Sequence, residues 1–219
     1  MNLNADLALS QGKSLRTEGG ITMADLSKNT INYLNISDTV IFWTKDSSIE
    51  SLSELLEVSY RFNLHGVLDF FPLRGALVYD EFETIPYDHR NALNTTYRIN
   101  PIFGKGMVQA HLKAENLNWA GSVIDDTVIQ SIVNQGVDPD VFLNKYAVKY
   151  QVPYKKAPCK TKPEFAFRLS DRLLDDVALK SWKESIKRNF ASDNKDATSK
   201  RAKEILKNTL AFLSFVMKV

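Results

Sequence analysis

Between Ile31 and Thr44 the chain reads INYLNISDTVIFWT, two short segments rich in β-branched and aromatic residues on either side of the polar pair Ser37-Asp38. So short a polar interruption between two strand-like runs leaves room for little but a tight antiparallel hairpin with Asp38 at its tip. The next segment has the other period. Ile49, Leu52, Leu55, Leu56 and Phe62 recur at helical spacing, and Ser47 with Glu50 three residues later has the form of a capping box, so a helix is expected from about Ser48 to about His65. A hairpin succeeded directly by an amphipathic helix belongs to a sheet covered by helices.

The remaining segments extend the same alternation. Leu73 to Tyr79 is apolar apart from Arg74 and reads as an inner strand; Gly104 to Asn118 carries Met107, Ala110, Ala114 and Leu117 at helical spacing and leads into the strand-like WAGSVI. Asp126 is the expected cap of the helix TVIQSIV, and Asp138-Pro139 opens another short helical piece. Tyr146, Val148, Tyr150 and Val152 alternate as in a strand, the loop PYKKAPCKTKP precedes the strand-like EFAFRL, and the end of the chain is helical. Residues 1–30 differ: polar, with a Gly pair and no apolar run suited to a buried strand. The expected fold class is α+β, with residues 1–30 a polar segment left from a first helix and its loop, residues 31–175 the main domain, and residues 176–219 a helical extension.

Composition narrows the functional classes. The 219 residues are 44% hydrophobic and 25% charged, with Gly 9 and Pro 7, which excludes a fibrous or disordered chain. The longest nearly apolar stretch, Leu210 to Met217, is far shorter than the roughly 20 residues of a membrane span, so no membrane partner is expected and a cytoplasmic location is. A formal charge of +2 argues against a strongly basic nucleic-acid coat. From Lys180 to Val219 there are ten Lys and Arg against four acids. That excess could track phosphates in nucleic acid, but spread over forty positions it reads as a solvated face.

Nucleotide-binding and zinc signatures of the glycine-rich and His/Cys types are missing from the sequence. His65, His89 and His111 lie in three different segments and are read as surface or packing residues. Cys159 could be an activated thiol in its lysine-rich loop or, by the plainer reading, inert. Asp38 is a turn former or a ligand for a hard cation such as Mg2+ or Mn2+, which takes one or two carboxylates and fills the rest of its shell with water and phosphate oxygens. Arg74, interrupting an apolar strand, needs either a carboxylate partner or a nucleotide phosphate.

Taken in order, Asn35-Ile-Ser-Asp-Thr-Val-Ile-Phe-Trp-Thr44, the capped helix, Phe71-Pro-Leu-Arg-Gly-Ala76, Gly104-Lys-Gly-Met-Val-Gln-Ala110, Glu115, Trp119-Ala-Gly121, the Tyr150 to Lys155 stretch and the closing Lys207-Asn-Thr-Leu-Ala-Phe212 resemble the small bacterial class III nucleotide cyclases. Within these, they look most like the pyrimidine (cytidylate and uridylate) cyclases of Pycsar antiphage systems. The resemblance spans roughly Ile31 to Val219. It implies a ferredoxin-like cyclase domain acting as a head-to-tail homodimer. Such a dimer converts a ribonucleoside triphosphate, CTP or UTP, to a 3′,5′-cyclic mononucleotide and pyrophosphate, a second messenger for a cyclic-nucleotide-responsive effector. It implies a two-metal Mg2+ or Mn2+ site in which Asp38 is the second metal aspartate, and it makes Ser37, Arg74 and Lys105 the substrate-binding candidates.

The resemblance also defines a departure. Such cyclases carry their first metal aspartate on an opening strand, in the pattern apolar-apolar-Asp-x-x-Gly-Phe. Neither Asp6 in NADLAL nor Asp25 in MADLSK has that setting. Loss of that strand would leave an unpaired position in the sheet. Two accounts fit the gap: Met1 is an internal methionine of a longer, active cyclase, or the chain is a cyclase-like dimerisation or nucleotide-sensing module without turnover. Leu112 stands where adenylate cyclases carry a transition-state arginine.

Overall fold

The computed structural model describes residues 2–10, 15–18, 21–85, 87–99, 101–156, 160–170, 173–192 and 199–217. At its centre are four strands, β5 (Arg74–Leu77), β10 (Gly121–Ile124), β11 (Ala147–Pro153) and β12 (Thr161–Phe167), in the order β11-β12-β10-β5. β5 and β10 run parallel, Arg74 opposite Gly121 and Leu77 opposite Ile124; the other two neighbours are antiparallel. Among the described residues seven helices accompany this mixed sheet, so the fold is α+β.

Local chemistry explains the elements. The long helix α2 (Ile49–His65) is capped by Ser48, whose hydroxyl accepts from the Ser51 N–H; Ser47, the expected cap, precedes it by one residue. Its apolar face is continued by a π-type turn, Gly66–Phe70. β10 is buried at every position, as a strand paired on both sides and covered by helices must be. β5 is half-buried throughout and, among the described residues, has a ladder partner on one side only. The helix α4 (Asp126–Asn134) is capped by Asp125, which accepts from the Thr127 N–H; Asp126, the expected cap, is instead the first helical residue. Asp138 caps the short α5 (Pro139–Leu143), whose first residue is the proline, as its fixed φ favours.

The main core gathers Leu56, Tyr60 and Leu64 of α2, Val128 and Ile132 of α4, Leu143 of α5, and the sheet residues Val123, Ile124, Val148, Ala166 and Phe167. Two C-terminal helices, α6 (Asp176–Ser192) and α7 (Lys200–Val216), add Ile186, Phe190, Phe212, Leu213 and Val216. Trp119, fully buried, sits where α7 crosses the entry to β10. There the Ala120 N–H donates to the Thr209 hydroxyl (2.8 Å), and Asn208 Nδ2 donates to the Asn118 carbonyl (2.8 Å).

A second, smaller cluster lies on another face of α2. The expected hairpin is present as β3 (Asn32–Ile36) and β4 (Thr39–Trp43), joined by the two-residue turn Ser37-Asp38. Among the described residues it forms a two-stranded sheet of its own and shares no ladder with the central four. Ile31, Leu55 and Val58 are buried in this cluster, with Tyr33, Phe42, Phe62 and Leu77 of β5 packed against them. The hairpin and β5 therefore rest on the same helix.

Residues 1–30 do more than their composition leads one to expect. Helix α1 (Asn2–Ser10) packs on α2, burying Ala5, Ala8 and Leu9, and is succeeded by a hairpin, β1 (Leu15–Glu18) with β2 (Ile21–Ala24). Between β5 and the next helix, α3 (Lys105–Asn116), the chain forms two further ladders, β6 (Glu83–Thr84) with β9 (Ile102–Phe103) and β7 (Tyr87–Arg90) with β8 (Thr96–Ile99). The β7–β8 ribbon is exposed at every position whose burial is described, so no core imposed on it the apolar alternation by which strands are recognised.

Candidate functional site

The turn that carries Asp38 is set by its backbone. Ile36 pairs with Thr39, which leaves Ser37 and Asp38 as the whole loop; Ser37 has φ 58° and Asp38 does not share that sign. A positive φ at the first loop position only is the II′ pattern, whose twist matches the flanking strands. Both turn residues are exposed. Among the described residues the Asp38 carboxylate takes part in no hydrogen bond or ion pair, so its oxygens are open to a ligand.

Arg74, by contrast, is engaged. As first residue of β5 it reaches the last turn of α3, with Nη2 2.7 Å from Glu115 Oε1 and Nη1 3.1 Å from the Glu115 carbonyl. Its partner is thus a carboxylate, but a half-exposed one, assisted by a helix C-terminal carbonyl that favours a cation. Lys155, just past β11, converges on the same place: its ammonium donates to the Glu115 carbonyl and lies 3.8 Å from Glu115 Oε2, and its backbone N–H bonds the Asn116 carbonyl (2.8 Å).

Lys105 lies elsewhere. α3 starts beside Glu81, where Gly104 has φ 107° and a Cβ on it would come within 2.1 Å of the Glu81 carbonyl oxygen, so only glycine lets the chain turn into the helix there. From Lys105 the helix runs back to Arg74, and ten residues of helix separate Lys105 from Glu115 by about 15 Å. The hairpin is oriented by the same landmarks. Trp43, the last residue of β4, meets Phe82 with ring centroids 5.1 Å apart, while Asp38 lies five residues earlier, about 15 Å back along the strand. Asp38, Ser37 and Arg74 therefore lie away from the Gly104 end of the molecule, and Lys105 lies at it. No hydrogen bond or ion pair joins Asp38 to Arg74 among the described residues.

The structure also assembles a charged group that sequence reasoning did not single out. Glu164 on β12 is fully buried in its side chain and accepts from Lys113 Nζ (2.7 Å), Lys162 Nζ (2.9 Å) and the Tyr154 hydroxyl. Lys113 also meets Asp125 at 2.5 Å. Burial opposes ionisation of Asp125, but the Lys113 ammonium and the Thr127 N–H outweigh it and hold the carboxyl below the usual range. Burial, then the bond to Glu164, pushes the Tyr154 hydroxyl far up, so it stays a donor. The signal was in the strand period: Glu164 shares the inward face of β12 with Ala166, and a lone carboxylate on such a face must find cations.

The histidines are dispersed: His65 pairs with Asp69 (2.9 Å), His89 stacks on Tyr87, and His111 is exposed on α3. Cys159 lies outside the described residues. Among the described residues no three His, Cys, Asp or Glu side chains are grouped to hold a metal ion, and no helix is long and apolar enough to cross a membrane. The surface carries a shallow concavity of about 880 Å³ lined by Asp46, Ser48, Tyr79, Asp126 and Gln130 among others, at neither Asp38 nor Arg74. No family model, curated protein or solved structure matches the chain.

Proposed function

We propose that this chain is a cyclase-type nucleotide-binding protein of ferredoxin-like architecture. It takes a pyrimidine ribonucleoside triphosphate, CTP or UTP, between two head-to-tail copies and, where its metal carboxylates are complete, releases a 3′,5′-cyclic mononucleotide and pyrophosphate for a responsive effector. The observation that carries the reading is the open edge of β5. Among the described residues that strand has a ladder on one side only, while the Asp38 hairpin rests on the same helix without pairing to it. In the sheet of such a cyclase that free edge is where a further strand would pair.

In this reading Asp38 is a metal ligand, Arg74 and Ser37 face the triphosphate, and Lys105, a helix length away within one chain, joins the pocket only from the partner copy. The donor set is one carboxylate, which fits Mg2+ or Mn2+ only as a single ligand among water and phosphate oxygens. Asp38 is the one metal aspartate that the resemblance places in this sequence, and on that ground a second reading is nucleotide-dependent dimerisation without turnover.

One experiment separates them. Purified protein is incubated with each of the four ribonucleoside triphosphates and Mn2+, and products and oligomeric state are monitored by chromatography and sedimentation. Cyclic product from CTP or UTP that disappears in Asp38→Ala supports the enzyme. Dimerisation on nucleotide with no product supports the sensor. Neither response to any nucleotide sinks both.

A further inference from the structure

Two cations from distant parts of the chain converge on the end of α3, and a third, Arg201, is close enough for its charge to be felt there. Arg74 holds the Glu115 carboxylate and carbonyl at 2.7 and 3.1 Å, and Lys155 donates to that same carbonyl. Their side chains are only 26% and 17% exposed, so both charges are partly withdrawn from water. Arg201 comes from the first turn of α7. That helix is fastened to Asn118, two residues past α3, by Asn208, which is seven residues after Arg201 and so on the same helix face. Burial first, then the nearby Arg74 and Arg201 guanidiniums, hold the Lys155 ammonium below the ordinary lysine range.

Among the described residues the carboxylate that faces Arg74 and Lys155 is the half-exposed Glu115. Capping the C-terminus of α3 would need a single cation. The further like charges repel one another, and a multiply charged anion would relieve that repulsion. The arginine fork suits two phosphate oxygens at once, and the lysine adds a mobile point charge.

We propose that Arg74, Lys155 and Arg201 form a binding site for a phosphate or pyrophosphate group, and that Glu115 is the internal carboxylate which an incoming anion displaces. The site deepens the nucleotide reading by naming groups that meet the phosphates, and rests on it only for the identity of the nucleotide; its geometry stands by itself.

Calorimetric titration of the intact protein with inorganic pyrophosphate, in metal-free buffer at moderate salt, tests it. Expected is saturable one-site binding, weakened about tenfold in Lys155→Met and in Arg201→Gln and tightened several-fold in Glu115→Gln, the loss of one charge-assisted contact being of that order. Arg201 is exposed, so its replacement leaves the fold intact. Absence of saturable binding, or binding unchanged in both cation variants, overturns the site, and an unaltered Glu115→Gln overturns the displacement. A protein that binds pyrophosphate through these residues but forms no cyclic product keeps the site and loses the cyclase; product formation indifferent to the variants does the reverse. A twelve-nucleotide RNA that binds more tightly than pyrophosphate and is lost with the same variants overturns the small-anion site in favour of nucleic acid.

Discussion

Trp119 and Phe212 meet edge to face, ring centroids 4.4 Å apart and planes at 82°, and both side chains are fully buried. This contact, with Tyr150 packed on Phe212 at 4.7 Å, seals α7 onto the entry of β10 and the length of β11. The C-terminal helix is therefore part of the domain core. Phe212→Ala should cost about 3–5 kcal/mol, the range for emptying an aromatic site in a core. Trp119→Phe should cost less than about 2 kcal/mol, because the indole N–H is buried without a partner among the described residues and its removal offsets part of the lost packing. Urea unfolding of the two variants measures both, and equal losses would show that α7 is held by something other than this pair.

The buried carboxylate of Glu164 makes a second prediction. With Lys113→Met, Lys162 at 2.9 Å and the Tyr154 hydroxyl still satisfy it. The loss should therefore be about 2–3 kcal/mol, below the ~3–5 kcal/mol of stranding a buried charge. The double variant Lys113→Met with Glu164→Gln should recover part of that loss. A double variant no more stable than the single one would mean that Lys113 acts by packing alone.

Stability in acid should depend on Asp125. Its carboxyl is held below the usual range when folded, so the unfolded chain takes up its proton first as pH falls. The stabilisation is complete above the unfolded value of about 4 and is lost as pH falls through the folded one. In Asp125→Asn that part of the acid limb should vanish, leaving a flatter dependence of thermal midpoint on pH between about 5 and 2. Circular dichroism melts across that window check it, and parallel curves for the two proteins would exclude the group.

Much of the fold was legible because most elements face a core. The α2 helix and β11 each bury a face whose period is written in apolar residues, β10 is a short apolar run buried throughout, and the bounds of all three fall close to those expected. The capping errors at Ser47 and Asp126 arise because adjacent serines and adjacent aspartates are equivalent in sequence and are distinguished only by the φ/ψ of the residue that enters the helix. The β7–β8 ribbon was not legible, since its strands are paired with each other and exposed, and pairing between exposed strands leaves no hydrophobic signature.

The candidate site divides in the same way. Asp38 at a hairpin tip is local information, and two residues between two strands fix it. The meeting of Arg74 with Glu115, forty-one residues on, where Lys155 also arrives, depends on the parallel crossover from β5 through α3 to β10, which no local pattern encodes. Lys105 and Arg74 look like companions in sequence because both flank glycine, yet α3 runs the full distance between them.

The hairpin tip offers the sharpest separation of stability from function. Ser37 holds φ 58° at a turn position that glycine occupies without strain, so Ser37→Gly should stabilise the protein by about 1 kcal/mol. Asp38→Ala, at an exposed position without a partner, should change stability by less than about 0.5 kcal/mol. If the turn exists to hold ligand, both variants must lose nucleotide binding, the first through the missing hydroxyl and the second through the missing carboxylate, while folding as well as the parent or better. Fluorescence titration with CTP and UTP beside denaturant midpoints reads the two quantities independently. Retained binding in a stabilised Ser37→Gly protein would remove Ser37 from the site, and retained binding in Asp38→Ala would make the turn a structural hairpin and nothing more.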